Sequence, residues 1–197
     1  MGTDHLPDDL LIARIAKGDR DAFADLYRRH HTAIARFAAH MCGSLPLAED
    51  IVHEVFVAVI DSAPRYRPGE TDAKLWLFGI ARNHVRRARA KRVMSPIDEE
   101  SGDRAFTVDV DPVGDIDRRR HLDALNRAVV SLPVRYREAV VLCDLQEQSY
   151  ADAAAALGCA IGTIRSRLHR GRALLARRLC PERTERACPV PVTRTIP

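Results

Sequence analysis

The segment SYADAAAALGCAIGTIRSRLHRGRALL, residues 149–175, predicts two short helices joined by a tight turn. Ser149 is a favourable N-cap residue, and the alanines that follow it are the strongest helix formers. Gly158 then supplies the left-handed backbone conformation that commonly ends a helix. The second helix has one apolar side, formed at helical spacing by Ile164, Leu168, Gly171 and Leu175. This pattern is typical of a helix-turn-helix motif.

The outer face of the second helix is cationic. The outermost positions on a helical wheel, at roughly 100° per residue, are Arg165, Ser166, His169 and Arg170, flanked by Arg167 and Arg172. Residues 161–178 contain six arginines and no acidic residue. Arginine binds guanine edges and phosphates, so a helix with a thin apolar side and this outer face is suited to the major groove of DNA. A solvated basic helix is the alternative, but the preceding helix and the glycine turn favour DNA binding.

Composition and length favour a helical protein without catalytic signatures. The 197 residues suffice for one domain or two small ones, and 46% hydrophobic with 5% aromatic residues suits alanine- and leucine-based helical cores. No apolar run approaches the ~20 residues that span a bilayer, and the acidic N-terminus does not resemble a signal peptide. We therefore expect a cytoplasmic protein without a membrane partner. No nucleophile elbow, Gly-rich phosphate loop or paired-carboxylate pattern is present, which argues against an enzyme.

The cysteines and histidines do not form a ligand pattern. None of the five cysteines belongs to a Cys-x-x-Cys pair, and the eight histidines lack metal-ligand spacing, so we expect no metal and no cofactor. Cys42, Cys143 and Cys159 fall in predicted helices or their turn and are interpreted as small buried thiols. Cys180 and Cys188 flank a polar segment, and pairing between them requires an oxidising environment.

A further helix with two distinct sides is predicted over residues 48–62. Its predicted buried arc consists of Ile51, Val52, Val55, Phe56, Val59 and Ile60. The opposite side carries Asp50, His53, Glu54, Val57 and Asp61. This acidic strip is either an ordinary solvated face or a face that docks on a basic partner helix, and the helix alone does not decide between them.

A loop and a long helix follow this segment. Residues 64–70 form a loop stiffened by two prolines, and residues 72–93 predict one continuous helix. The first half of that helix is aromatic and aliphatic, whereas residues 82–92 contain six basic residues and no acid. The basic half predicts a contact with nucleic acid, and the aromatic side chains are interpreted as core rather than base-stacking residues.

Charge and breaker residues divide the chain into parts. Residues 94–117 include eight acids and one arginine, with two prolines and no helical period, which predicts a flexible acidic linker. Beyond it, the first helix is marked by Leu122, Leu125, Val129 and Leu132, and Pro133 lies in the first turn of the next. We predict an all-α protein of two small helical domains, residues 5–93 and 118–180, followed by a disordered tail at residues 181–197.

Several segments resemble the sigma factors of bacterial RNA polymerase, in particular the small extracytoplasmic-function (ECF) group. Residues 131–175, SLPVRYREAVVLCDLQEQSYADAAAALGCAIGTIRSRLHRGRALL, are similar to the family's region four. The segments DAFADLYRRHH, AEDIVHEVFVAVI and LWLFGIARNHVRRARAKR resemble its region two. The resemblance implies a region 2 helical bundle and a region 4 helix-turn-helix. It also implies that the protein binds polymerase core and directs promoter-specific transcription initiation.

The resemblance further implies which residues bind each partner. The face for the clamp helices of the polymerase's largest subunit comprises Asp50, His53, Glu54, Val57 and Asp61. The minus-ten element is bound by Arg65, Tyr66, Arg67, Lys74, Ile80 and Asn83, with Arg86, Arg87 and Arg89 on nearby phosphates. The minus-thirty-five element is bound by Thr163, Arg165, Ser166, Arg167, His169 and Arg170. The implied partners are polymerase core, through its clamp helices and flap, promoter DNA and an anti-sigma factor.

The sequence departs from the family at two places. His53 stands where the family usually has Gln, so docking is expected to weaken when this side chain is protonated. Residues 153–156 are alanines in place of the usual Ile-Ala pattern, which predicts a thinly packed helix. The alternative interpretation is a stand-alone helix-turn-helix regulator that binds a palindrome as a dimer. It accounts for residues 118–180 but leaves the acidic strip and the basic half-helix without a role.

Overall fold

The computed structural model describes residues 6–94 and 116–179, and within them the backbone forms helices and turns and no strand. The helices are α1 (Asp8–Ile15), α2 (Arg20–Cys42), α3 (Leu45–Ser62), α4 (Ala73–Met94), α5 (Ile116–Val130), α6 (Val134–Val140), α7 (Tyr150–Leu157) and α8 (Ile161–Leu179). The all-α prediction is confirmed. Most of the predicted linker, the predicted tail, Cys180 and Cys188 lie outside the described residues.

α2 is the central helix of the N-terminal half and contacts α1, α3 and α4. It begins where the Asp19 carboxylate accepts hydrogen bonds from the backbone N–H groups of Asp21 and Ala22, both at 3.0 Å. It ends at Gly43, whose φ of +72° strains any residue with a Cβ. The large side chains buried in this half include Leu26, Ile34, Phe37, Val55, Leu77 and Phe78.

The buried side of α3 is narrower than the sequence predicts. Buried as predicted are Ile51, Val52, Val55, Phe56 and Val59. The prediction for Ile60 was wrong, because this side chain is 49% exposed. On the helical wheel it lies about 100° from the centre of the buried arc, so it reaches solvent at the arc's edge.

α6 is the buried centre of the C-terminal half. Residues 136–142, which run from α6 into a π-helical turn (Val141–Leu145), are all buried, because α8 covers one side and the N-terminal half another. Gly171 allows α8 to approach closely, since a Cβ there would lie 2.8 Å from Cγ2 of Val140. Pro133 is the N-cap of α6 rather than a residue of its first turn. Leu122, predicted on the apolar side of α5, is 41% exposed.

The two halves contact each other directly, which the sequence did not predict. Arg137 on α6 is buried and donates a hydrogen bond at 2.6 Å to the backbone oxygen of Met41, near the end of α2. Its neighbour Glu138 is 4% exposed and accepts a hydrogen bond at 2.7 Å from Nε of Arg82 on α4. The buried apolar side chains of both halves form one continuous cluster. α4 and α6 are therefore joined by a largely buried ion pair.

α7 completes the contact between the halves. Its side chains Ala153, Ala154 and Leu157 are buried, and the helix packs against both α4 and α8. Alanine side chains are short, so α7 can lie close to two helices at once. Of the alanines that depart from the family pattern, Ala153 and Ala154 are buried where α7 meets its neighbours, whereas Ala155 is exposed.

Candidate nucleic-acid interface and docking face

The helix-turn-helix consists of α7, a turn at Gly158 and α8. The Ser149 hydroxyl accepts a hydrogen bond from the backbone N–H of Asp152 at 3.1 Å and donates one to its carboxylate at 2.7 Å, which starts α7. Gly158 ends α7 with a φ of +62°. Ile164 and Leu168 are buried and fix the rotation of α8. The motif predicted from the sequence is present with the predicted caps.

The rotation of α8 determines which of its side chains face solvent. The exposed set contains the outermost positions of the wheel, Arg165, Ser166, His169 and Arg170. Thr163 and Arg167 are half-buried beside this set. Arg165 and His169 also line an open groove of about 380 Å³ between α7 and α8, together with Tyr150 and Arg172. A cationic groove beside an exposed helix is suited to a phosphate backbone.

Two contacts that the sequence did not reveal orient the arginines of α8. Arg172 forms a bidentate ion pair with Asp144 of the π-helical turn, at 3.1 Å from Nε and 2.5 Å from Nη2. This carboxylate raises the pKa of Arg172. A hydrogen bond from Arg170 lowers the pKa of Tyr136 on α6. The only sequence signal for the Asp144–Arg172 pair is that Asp144 precedes a cationic helix without acidic residues.

The acidic strip of α3 is fully presented to solvent. The five predicted residues, Asp50, His53, Glu54, Val57 and Asp61, are all exposed. Val57 is 60% exposed, which places an apolar side chain among the carboxylates. Nδ1 of His84 on α4 lies 2.9 Å from the carboxylate of Glu54. An apolar groove of about 370 Å³ between α2 and α3 borders the strip and shares His53 with it.

In the loop between α3 and α4, the arginine side chains point outward and the tyrosine side chain points inward. Arg65 and Arg67 are exposed, whereas the Tyr66 ring turns inward and lies 4.9 Å from the Trp76 ring. The Tyr66 hydroxyl donates hydrogen bonds to the Asp9 carboxylate at 2.5 Å and to the Thr71 backbone oxygen at 2.9 Å. Lys74, at the start of α4, is half-buried.

The cationic half of α4 has two separate faces. Asn83, Arg86 and Arg87 are exposed. On the helical wheel Asn83 and Arg87 lie within about 60° of the half-buried Ile80, whereas Arg86 lies about 120° from it. Arg89 lies roughly 180° from Ile80 on the helical wheel, on the side of Arg82 and the C-terminal half. Its Nη1 is buried and has no hydrogen-bond partner within residues 6–94 and 116–179. The structure therefore brings Ile80, Asn83 and Arg87 to one side of α4 and places Arg89 on the opposite side.

Comparisons with known proteins assign the two halves to one family. The family Sigma-70 region 2 matches residues 26–93, and Sigma-70, region 4 matches residues 122–175. The chain is 36% identical over 178 residues to the ECF RNA polymerase sigma factor SigM of Mycobacterium tuberculosis, covering 87% of this chain and 83% of that protein. The chain belongs to the ECF sigma factors. The sigma factor SigE of Mycolicibacterium smegmatis is 35% identical, covering 87% of this chain and 68% of the relative.

A solved structure supports the same assignment at the level of the fold. It is the sigma factor RpoE of Bartonella quintana in complex with the anti-sigma factor NepR, with a TM-score of 0.67 and 28% identity. The match covers 81% of this chain and 98% of that one. The region 2 match corresponds to most of α2 together with α3 and α4, so α1 precedes the matched part of this sigma factor.

The remaining candidate sites are sparse. Within residues 6–94 and 116–179, no group of three or more His, Cys, Asp or Glu side chains could hold a metal. No helix in the same ranges is long and apolar enough to cross a membrane. Cys42, Cys143 and Cys159 form no disulfide with one another and are half-buried, so they are less buried than predicted. Burial raises the pKa of Cys143 to about 11, which makes it an unreactive thiol near neutral pH.

Proposed function

We propose that this sigma factor directs promoter-specific initiation through three surfaces. The docking face is the exposed side of α3, formed by Asp50, His53, Glu54, Val57 and Asp61. The minus-ten surface comprises Arg65, Arg67, Lys74, Ile80, Asn83, Arg86, Arg87 and, on a separate side of α4, Arg89. The minus-thirty-five surface comprises Thr163, Arg165, Ser166, Arg167, His169 and Arg170. The observation that carries the proposal is an acidic docking face together with two cationic helices in one chain of this family.

The docking face supports an attachment to a basic partner. Its carboxylates are solvated in the free chain and Val57 is 60% exposed, so a partner helix can bury the valine and pair with the acids around it. We assign this partner as the clamp helices of polymerase core, and assign the flap to the C-terminal half. The function is exercised where transcription occurs, in the cytoplasm.

The minus-ten surface supports capture of an unpaired base. Taking a base out of the stack costs a few kcal/mol, which binding must offset. The exposed Arg65 and Arg67 beside α4, with Asn83, Arg86 and Arg87 along it, offer cations for the phosphates and a polar amide for the base. The half-buried Ile80 lies on the same side as an apolar contact.

The minus-thirty-five surface supports readout of a duplex in the major groove. Arg165 and Arg170 are exposed on α8 and are long enough to bind guanine at O6 and N7. Ser166 and His169 lie between them on the same face. We assign the chain no catalytic role, because each of these surfaces acts by binding and positioning.

An anti-sigma factor is a further proposed partner. RpoE of Bartonella quintana is solved with the anti-sigma factor NepR, and CnrH with the cytosolic domain of CnrY. CnrH resembles this chain with a TM-score of 0.66 and 26% identity, over 89% of this chain and 98% of CnrH. A partner of this kind would bind the docking face and compete with polymerase core.

Transcription with purified components tests the proposed function. Polymerase core is mixed with the chain and with a library of promoter fragments, and the transcripts that start only when the chain is present are sequenced. We expect a shared pair of spaced elements upstream of the start sites and co-purification of the chain with core. A stand-alone regulator would bind a palindrome without core and start no transcripts.

A further inference from the structure

α1 is tied to the loop that carries the minus-ten arginines. Asp9 lies on α1, and its carboxylate accepts the 2.5 Å hydrogen bond from Tyr66, 57 residues further along the chain. α1 also contacts the short 3₁₀ turn Ala63–Arg65 that begins the loop. Among the described residues of this loop, Tyr66 alone is hydrogen-bonded to the Asp9 carboxylate. The loop is therefore held by α1, which precedes the segment matched to region 2, as well as by residues within that segment.

α1 is itself rigidly attached to α2. Leu11, Ile12 and Ile15 are buried beneath it. The Asp8 carboxylate lies 2.9 Å from Nη1 of Arg29 and 2.6 Å from Nε2 of His30, both on α2. A helix anchored by a buried apolar side and by these polar contacts can fix the position of a carboxylate at its first turn. Asp9 is thus a fixed acceptor rather than a mobile surface group.

Tyr66 connects the fixed Asp9 carboxylate to the loop. Its hydroxyl also donates to the Thr71 backbone oxygen across the loop, and its ring packs against that of Trp76, with the centroids 4.9 Å apart and the ring planes tilted by 53°. Burial, and then the Asp9 carboxylate, raise the pKa of Tyr66, so its hydroxyl remains a donor further into alkaline pH than an ordinary tyrosine. Arg65 and Arg67, the residues on either side, face solvent. The tyrosine therefore fills the loop from inside while the arginines remain available outside.

We propose that Asp9 is a positioning residue for promoter opening, and that Tyr66 acts as the internal support of the minus-ten loop instead of contacting a base. The proposal rests on the proposed function of this loop. A loop held in one conformation has already lost its conformational freedom before DNA arrives, so more of the binding energy remains for the unpaired base. Loss of either partner would release the loop without removing any residue that contacts DNA.

The opening assay uses polymerase core, the full chain and a promoter with a fluorescent base in the minus-ten element. We expect Asp9→Ala to slow opening by roughly tenfold, the effect of losing one hydrogen bond to a charged group, and Tyr66→Phe, which also loses the contact with Thr71, to slow it by at least as much. The double variant should be no slower than Tyr66→Phe alone, because that substitution already removes the bond to Asp9. Core binding and the melting temperature should stay close to wild type, as in the control Leu10→Ala, an exposed position beside Asp9.

The fluorescence of Trp76 tests the Asp9–Tyr66 contact in the absence of polymerase. Trp76 is the single tryptophan of the chain, so quenching by iodide reports on this loop alone. We expect Asp9→Ala to increase the quenching constant and Leu10→Ala to leave it unchanged. Unchanged quenching in Asp9→Ala, or additive effects of the two substitutions on opening, would overturn the proposal. A wild-type chain that opens no promoter would instead overturn the proposed function. Quenching would still test whether the Asp9–Tyr66 contact holds the loop.

Discussion

The cationic helices α4 and α8 look alike in sequence but differ in what the fold leaves accessible. α8 presents its central basic positions, including Arg165, His169 and Arg170, to solvent. α4 exposes Arg86 and Arg87 but turns Arg82 and Arg89 toward the C-terminal half. The difference arises because the cationic half of α4 forms part of the contact with the C-terminal half, where Arg82 pairs with Glu138 of α6. A run of basic residues therefore predicts a cationic helix but not which charges can reach DNA.

The contact that covers part of α4 has an unusual charge balance. Arg137 donates hydrogen bonds to the backbone oxygens of Met41, Val130 and Leu132 and has no carboxylate partner among the described residues. Burial, and then the nearby Arg89, lower the pKa of Arg137 to about 10. Buried charges of like sign oppose the contact, while the Glu138–Arg82 pair supports it. Such an interface is specific in geometry without being strongly stabilising.

The largest expected effect is the loss of binding to polymerase core, the partner that would separate the two halves. Asp50→Lys combined with Glu54→Lys should lower the affinity for polymerase core at least about a hundredfold, because like charges across an interface cost several kcal/mol. Binding of the minus-thirty-five element by α8 should not change, since both substitutions lie on the exposed side of α3. A pull-down with core and a gel shift with duplex DNA measure the two effects.

The matched control for this variant is Asp21→Lys combined with Glu147→Lys. Both residues are exposed, and neither lies on the docking face. The control carries the same change in net charge and should bind core as wild type does. Retention of core binding by the Asp50 and Glu54 variant would show that the acidic strip is an ordinary solvated face.

The second prediction compares an ion pair on each cationic helix. Glu138→Ala leaves Arg82 without its partner in a largely buried site and should lower the free energy of unfolding by about 2–3 kcal/mol. Asp144→Ala breaks the pair with Arg172, whose side chain is 53% exposed, and should cost about 1 kcal/mol or less. Urea denaturation of the full chain measures both. Equal costs would mean that the halves are apart in solution and that Glu138 is solvated.

Local signals made much of this fold predictable, and long-range contacts made the rest unpredictable. Ser149 and Gly158 cap α7 as expected, because capping depends on residues within one helical turn. The bond from Arg137 to Met41 joins residues 96 positions apart, and no pattern along the chain announces it. The same holds for Asp9 and Tyr66. The sequence therefore identified Tyr66 as part of the minus-ten loop but could not show that its ring turns inward.

The third prediction concerns direct readout by α8. Arg165→Ala should weaken binding of the minus-thirty-five duplex by about 1–3 kcal/mol, the value of one bidentate contact to a base. The loss should disappear when the contacted base pair is changed, because a specific contact is then already absent. Titration of a panel of duplexes with single substitutions measures this. A uniform loss across the panel would mean that Arg165 contacts a phosphate and does not contribute to the sequence specificity of α8.

The smallest expected effect separates the two faces of α4. Arg89→Ala should reduce the slope of log affinity against log salt by about one when core is bound, as for a single phosphate contact. In the free chain it should leave the slope unchanged, because Nη1 of Arg89 is buried. Arg87→Ala is the matched control: it is exposed on the same helix and should reduce the slope in both states. Core would expose Arg89 by holding the halves apart, and a phosphate would then supply the partner that Nη1 lacks. Identical behaviour of the two variants in the free chain would show that DNA reaches Arg89 without core, and that the halves separate on their own.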